Sequence, residues 1–184
     1  MKQLILLLSL LIPFVSYYEE ICEETKKKET KMTKLESECG IVRKYIDVKL
    51  NNLSSSAASA TYKASIRTFL DDSKNSYFFI VEEFDNGSVV KRAVIEYSDL
   101  LEVVSAISKI SMEEENDCKS NPDFLQNHFV TLDGVLVGYY VSNKKANWFI
   151  SDDGYFWVKN YNELLRALNE ALEKIELLKQ QYGK

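Results

Sequence analysis

Apolar and polar residues alternate along four stretches in the first half of the chain. The stretches cover residues 46–50, 62–70, 77–84 and 89–97. Successive residues of a β-strand point to opposite faces, so this period of two predicts half-buried strands. After residue 97 the apolar residues follow helical spacing, which predicts an amphipathic helix over 98–110. The first half is therefore predicted to be a β-meander that ends in a helix.

The second half shows the same order of patterns. Its apolar stretches cover residues 129–132, 135–141, 148–151 and 155–158. Asn-Gly and Asp-Gly pairs accept the positive φ of tight hairpin turns. The chain places such pairs at Asn86-Gly87, Asp133-Gly134 and Asp153-Gly154. A long amphipathic helix is predicted after the last strand, with an apolar stripe formed by Leu164, Leu165, Leu168, Leu172, Ile175 and Leu178.

Two segments of the halves can be aligned residue by residue. Residues 97–101 read Tyr-Ser-Asp-Leu-Leu, and residues 161–165 read Tyr-Asn-Glu-Leu-Leu. Ser98 and Asn162 are predicted to be helix N-caps, and each precedes an acid in the first turn, where the helix dipole favours negative charge. The shared order of strands, cap and helix predicts a duplicated βββα-like unit.

The predicted fold class is α+β, with two sequential antiparallel repeats that each combine a β-meander with a helix. Neither half alone buries a comfortable core. We therefore expect one continuous antiparallel sheet with both long helices on one face, and two small sandwiches packed together are the alternative. The predicted organisation is a signal peptide (1–17), a charged segment that forms an arm, an edge strand or a helix (18–39), and repeats at 40–118 and 119–184, with 40–184 as one compact domain.

The N-terminus has the pattern of a secretory signal peptide. Lys2 precedes an apolar run at residues 4–15. Crossing a bilayer takes roughly 20 apolar residues, so this run is too short to span comfortably. Cleavage is expected near residues 16–17, which predicts a secreted or periplasmic protein with no membrane span after cleavage.

The net charge limits the kinds of partner that are expected, and the cysteine content limits the number of disulfide bonds. The formal net charge of −5 does not attract a phosphate backbone, so nucleic acid is not an expected partner. The three cysteines, Cys22, Cys39 and Cys118, allow at most one intrachain disulfide. The sequence leaves open which two would pair and whether all three are free.

The sequence contains none of the common motifs for catalysis, cofactor binding or metal binding. It has no Gly-rich phosphate loop, nucleophile elbow or His-Glu-x-x-His pattern. The one histidine, His128, has no motif partner and is interpreted as a strand-end residue. Asp71-Asp72 and Asp152-Asp153 lie in predicted loops, where aspartate favours turn hydrogen bonds. We therefore predict a non-enzymatic protein with no cofactor and no metal.

Aromatic residues are concentrated in the second half. Ten of the twenty-two lie between Phe124 and Tyr161. Because successive strand residues face opposite sides, neighbouring aromatics must place rings on both faces of the sheet. One face is covered by helix, and the other either is covered as well or forms a flat aromatic surface of the kind that marks interaction sites. The candidate surface for a protein or glycan partner is formed by Tyr140, Trp148, Tyr155 and Trp157.

The resulting hypothesis is an exported, non-enzymatic binding protein that acts through this aromatic sheet face. One alternative is a carboxylate-dependent hydrolase that uses Asp152 or Asp153, and it requires carboxylates that converge in a cleft. Another is a structural subunit of a cell-envelope assembly, and it requires the apolar stripe of the second long helix as a docking surface. The sequence does not predict the oligomeric state.

Overall fold

The computed structural model describes residues 29–57, 61–120 and 122–183. Within these ranges the chain forms four helices and two antiparallel sheets, which confirms the predicted α+β class. The predicted signal peptide and Cys22 lie outside the described residues. Cys39 and Cys118 are free thiols. Among the described helices, none is both long enough and apolar enough to cross a membrane.

Each sheet is followed along the chain by a long helix. The helices are α1 (Lys31–Ser37), α2 (Tyr97–Ser111), α3 (Glu114–Ser120) and α4 (Tyr161–Tyr182). The strands of the first sheet are β1 (Lys44–Lys49), β2 (Leu53–Ser54), β3 (Thr61–Leu70), β4 (Ser76–Asp85) and β5 (Ser88–Glu96). Those of the second sheet are β6 (Leu125–Val130), β7 (Leu136–Ser142), β8 (Lys145–Ser151) and β9 (Tyr155–Trp157).

The strand order is β1-β3-β4-β5 in the first sheet, where β2 also pairs with β3, and β6-β7-β8-β9 in the second. The strands of each sheet thus follow one another in chain order along the main path. That the two halves are duplicates of one unit stays a prediction. The prediction of one continuous sheet is wrong, because the strands form two separate sheets. An isolated antiparallel bridge between Ser55 and Val158 joins them. Hydrogen bonds from Ser56 N to Trp157 O and from Lys159 N to Ser54 O, both 3.0 Å long, flank this bridge. The joint is short because β2 has only two residues.

One hairpin turn has the predicted positive φ at both residues, in the Asp-Gly pairs only Gly134 and Gly154 have it, and one further turn is not predicted. Asn86 and Gly87 have φ values of 48° and 86°, as the Asn-Gly pair predicts. The turn between β7 and β8 consists of Asn143 and Lys144, whose φ values are 52° and 59°. This two-residue turn has no glycine, and the sequence pattern does not predict it.

Both long helices begin earlier than predicted. The α4 helix is capped by Asn160, whose Oδ1 accepts a hydrogen bond from Glu163 N at 3.0 Å. The α2 helix begins at Tyr97 after Glu96, and Ser98 donates its hydroxyl proton to the Glu96 carboxylate instead of capping the helix. The predicted caps Ser98 and Asn162 are therefore wrong, since both lie inside the first turn.

The main core lies between the sheets and the two long helices. Apolar residues from both sheets, from α2 and from α4 form one buried cluster. Leu164, Leu168, Ile175 and Leu178 of the α4 stripe are at most 3% exposed, so these residues pack inside this core and do not form a docking surface.

The first sheet has a smaller second core on its opposite face. The charged N-terminal segment forms α1 there, and Met32 of α1 is 1% exposed against apolar side chains of the sheet. The N-cap residue Thr30 accepts a hydrogen bond from Thr33 N, which fixes the start of this short helix. Of the three structures predicted for the charged segment, a helix is therefore the one observed over Lys31–Ser37. The residues packed beneath it are Phe69, Phe78, Ile80 and Val94.

Candidate functional site

The second sheet has one face toward the helices and one face away from them. Alternation along β7 places Val137, Tyr139 and Val141 on the inner face, where they are at most 2% exposed. Gly138 and Tyr140 therefore point to the outer face. The strand pairing places Phe149 of β8 and the β9 residues Tyr155 and Trp157 on that same face.

Four aromatic rings form a connected cluster on the outer face, and we call Tyr140, Phe149, Tyr155 and Trp157 the aromatic face. The Tyr155 and Trp157 rings are stacked, with centroids 4.6 Å apart and an interplanar angle of 6°. Tyr140 meets the Trp157 ring edge-on at 5.4 Å. Phe149 meets Tyr155 edge-on at 5.1 Å and Trp157 at 6.0 Å. Each ring is thus held by at least one other ring in a geometry that aromatic pairs favour.

The cluster has a buried base and an accessible rim. Phe149 is 0% exposed although it points away from the helices. Tyr155 is 39% exposed, and Tyr140 and Trp157 are half-buried. Tyr155 and Trp157 therefore rest on Phe149, and Tyr140 rests on Trp157, so ring contacts fix the orientation of all three rim rings.

Neutral polar side chains border the aromatic face around Tyr140, and the Lys91 side chain lies against Gly154, next to Tyr155. The pairing places Gln126 and Asn147 on either side of Tyr140, and His128 opposite Gly138. Gln126 Nε2 lies 3.3 Å from His128 Nδ1. Amide and imidazole groups offer hydrogen-bond donors and acceptors without a fixed charge on the amides. The site therefore combines flat rings with hydrogen-bonding groups at their edge.

Trp148 does not belong to the predicted surface, and its inclusion there is wrong. It is 2% exposed on the inner face, next to Tyr139 and Tyr161, with ring centroids 4.9 and 5.3 Å away. Its Nε1 donates to Glu114 Oε2 at 3.0 Å. The residue that sequence reasoning missed is Phe149, which occupies the outer face in its place.

Trp148 and Tyr139 are held by the acidic helix α3. The Tyr139 hydroxyl donates to Asp117 Oδ2 at 2.6 Å. Burial raises the pKa of Tyr139 well above its ordinary value, and the bond to Asp117 raises it further. Glu113 accepts a hydrogen bond from Asn127 Nδ2 at 2.8 Å. Residues 113–117 thus provide acidic hydrogen-bond partners for polar groups of the second sheet.

The other candidate residues lie in turns. Asp152 and Asp153 lie in the turn between β8 and β9, where Asp152 N donates to Gly154 O at 3.3 Å. The carboxylate of Asp71 accepts hydrogen bonds from the backbone N–H and the hydroxyl of Ser73, which lower the pKa of Asp71. No group of three or more His, Cys, Asp or Glu side chains is arranged to hold a metal ion within the described ranges.

Comparison of this chain with protein families, with curated proteins and with solved structures gives no match.

Proposed function

We propose that this chain is an exported, non-enzymatic binding protein whose ligand docks on the aromatic face. The observation that carries the proposal is the cluster of Tyr140, Tyr155 and Trp157, whose rings are accessible and yet fixed by contacts with one another and with the buried Phe149. Exposed aromatics that are already oriented gain binding energy at little entropic cost, because few rotamers are lost on contact.

The chemistry at the rim favours a neutral glycan as the ligand. Flat aromatic rings offer apolar contact to the C–H face of a sugar. Gln126, Asn147 and His128 are placed to exchange hydrogen bonds with its hydroxyl groups, since a small number of polar groups fixes ligand orientation in such sites. The residues that the strand pairing sets around Tyr140 carry no carboxylate, ammonium or guanidinium group: they are Gln126, His128, Gly138 and Asn147. Around Tyr140 this composition suits an uncharged ligand, and the ammonium group of Lys91, which lies near Tyr155, is paired with Glu83.

Removing one rim ring should weaken glycan binding. We expect Tyr155→Ala to weaken the best neutral oligosaccharide by about tenfold, the effect of about 1.4 kcal/mol. Titration calorimetry against a panel of neutral oligosaccharides measures the change. Tyr45→Ala is the matched control, because Tyr45 is an exposed tyrosine of the first sheet, 52% accessible and far from the aromatic face in strand order. The Tyr45→Ala variant should bind the oligosaccharide with the same dissociation constant as the wild type.

Two results would contradict the proposal. One is equal weakening by Tyr155→Ala and Tyr45→Ala, since the effect would then not arise at the aromatic face. The other is a folded wild-type chain that binds none of the oligosaccharides, which would remove the glycan as the ligand class.

A further inference from the structure

Among the described residues, no strand pairs with the outer edge of β6, and β6 itself lacks the residues that usually protect an edge strand. Exposed edges are normally blocked by charged residues or bulges, because their unpaired backbone groups accept another strand. The edge strand β5 carries Lys91 and Arg92 and has a register shift, and β1 carries Lys44, Asp47 and Lys49. The sequence of β6 is Leu-Gln-Asn-His-Phe-Val and contains no lysine, arginine or carboxylate.

The hydrogen-bond pattern shows which backbone groups of β6 face the free edge. Thr131 N donates to Val135 O at 2.9 Å, and pairing in an antiparallel ladder alternates along the strand. Residues 129, 127 and 125 therefore bond to β7. The N–H and C=O groups of Gln126, His128 and Val130 point away from β7, toward the edge.

The outer side of this edge also exposes apolar side chains at both ends. Phe124 is 70% exposed, Val130 is 51% exposed and Leu132 is 67% exposed. Val130 shares the parity of His128 within β6, so alternation places it on the same side, and Phe124 and Leu132 lie just beyond the two ends of the strand. The edge thus offers both unpaired backbone groups and apolar side chains.

We propose that β6 pairs with β6 of a second copy of this chain, antiparallel and around a twofold axis at His128. This register is the one that aligns the edge-facing groups, since it pairs Gln126 with Val130 of the second copy and His128 with its equivalent. Each such pair exchanges two hydrogen bonds. The same register brings the end of β6 that carries Phe124 next to the end that carries Leu132 in the second copy, so the most exposed apolar residues of the two edges lie at the same ends of the interface. The strand is complementary to itself, which is the requirement for a twofold interface.

Backbone pairing between the two copies ends before residue 132, because the N–H group of that residue is already hydrogen-bonded within its own chain. Leu132 N donates to the buried carboxylate of Asp99 at 3.0 Å, so this group is not available to a second strand. Backbone pairing therefore covers residues 126–130. The dimer places two aromatic faces on one continuous sheet surface, and it does not depend on what the aromatic face binds.

A charge at the edge should separate the copies. We expect the full wild-type chain to sediment at twice the monomer mass, and Val130→Lys to weaken the dimer about tenfold, because an unpaired lysine is placed within the edge. Adding Gln126→Glu to Val130→Lys should restore the dimer, since the carboxylate introduced in each copy then faces the ammonium group introduced in the other. Positions 126 and 130 are about 13 Å apart within one strand, too far for the two new charges to pair in the monomer.

Sedimentation velocity over a wide concentration range gives the dissociation constants, and circular dichroism checks that each variant is folded. Val90→Lys is the control, because Val90 is 52% exposed on β5, the free edge of the first sheet. It should leave the dimer unchanged. The proposal is overturned if the folded wild type stays monomeric, if Val130→Lys leaves the dimer intact, or if the double variant is no tighter than Val130→Lys. A monomer that instead captures extended peptides would also overturn it.

Discussion

Replacing Gly138 with alanine is expected to destabilise the protein by about 3 kcal/mol or more, the range reached when a side chain is forced against fixed backbone. An added Cβ would lie 2.1 Å from Asn127 O and 2.6 Å from His128 Cα. Both atoms belong to the backbone of β6, so a side-chain rotation does not relieve the contact. The strand β6 must move away from β7, and the ladder that holds the edge of the second sheet loses hydrogen bonds. Urea unfolding at neutral pH measures the loss.

Gly87→Ala separates this steric cost from the general cost of losing a glycine. Gly87 has a φ of 86° and no atom within 4 Å of an added Cβ. Its replacement should cost about 1–2 kcal/mol, the penalty for a left-handed conformation in an L-residue. A Gly138→Ala variant as stable as Gly87→Ala would show that β6 accommodates the side chain.

The fold is predictable where a pattern depends on neighbours in sequence. Alternation predicts the long strands because each has one face on a core, and Asn86-Gly87 predicts its turn because both residues accept positive φ. The acidic helix α3 is not predicted, since the helix predicted from the apolar spacing ends at residue 110. Its carboxylates are instead fixed by Trp148 and Tyr139, more than twenty residues further along the chain. Local patterns do not contain such contacts.

The aromatic face is partly predictable for the same reason. Aromatic density identifies Tyr140, Tyr155 and Trp157, and the strand register places them on one face. Trp148 is included in the prediction because of its residue type, although alternation alone puts it on the side of Tyr139. Hairpin pairing places Phe149 with Tyr140 and Trp157. The side of a strand residue follows from parity, whereas its exposure depends on how the helices pack over the sheet.

The joint between the two sheets depends on an ion pair of α4 that should make stability pH-dependent. Glu163 Oε1 accepts a hydrogen bond from Ser54 N at 2.8 Å, next to the bridge between the sheets. Arg166 donates to both oxygens of Glu163, at 2.9 and 3.1 Å, and also to Asn52 O at 3.0 Å. The hydrogen bonds from Arg166, followed by those from Ser54, lower the pKa of Glu163 to about 2.

A carboxyl group whose pKa is lower in the folded state stabilises the fold above its unfolded pKa. This stabilisation is lost as the pH falls from the unfolded value of about 4.3 through the folded value. We therefore expect Glu163→Gln to cost about 1–2 kcal/mol at neutral pH, a figure discounted because the Arg166 side chain is 38% exposed and partly screened by solvent. The difference in the free energy of unfolding between Glu163→Gln and the wild type should shrink as the pH is lowered from about 5 to about 2.

Urea unfolding of both proteins across this pH range tests the prediction. Glu173→Gln is the matched control, because it removes an equal charge from an exposed position on the same helix. Its stability should follow that of the wild type at every pH. If Glu163→Gln differs from wild type by the same amount at all pH values, its effect comes from lost packing around Ser54 and not from the charge, and the ion pair is not what secures the joint between the sheets.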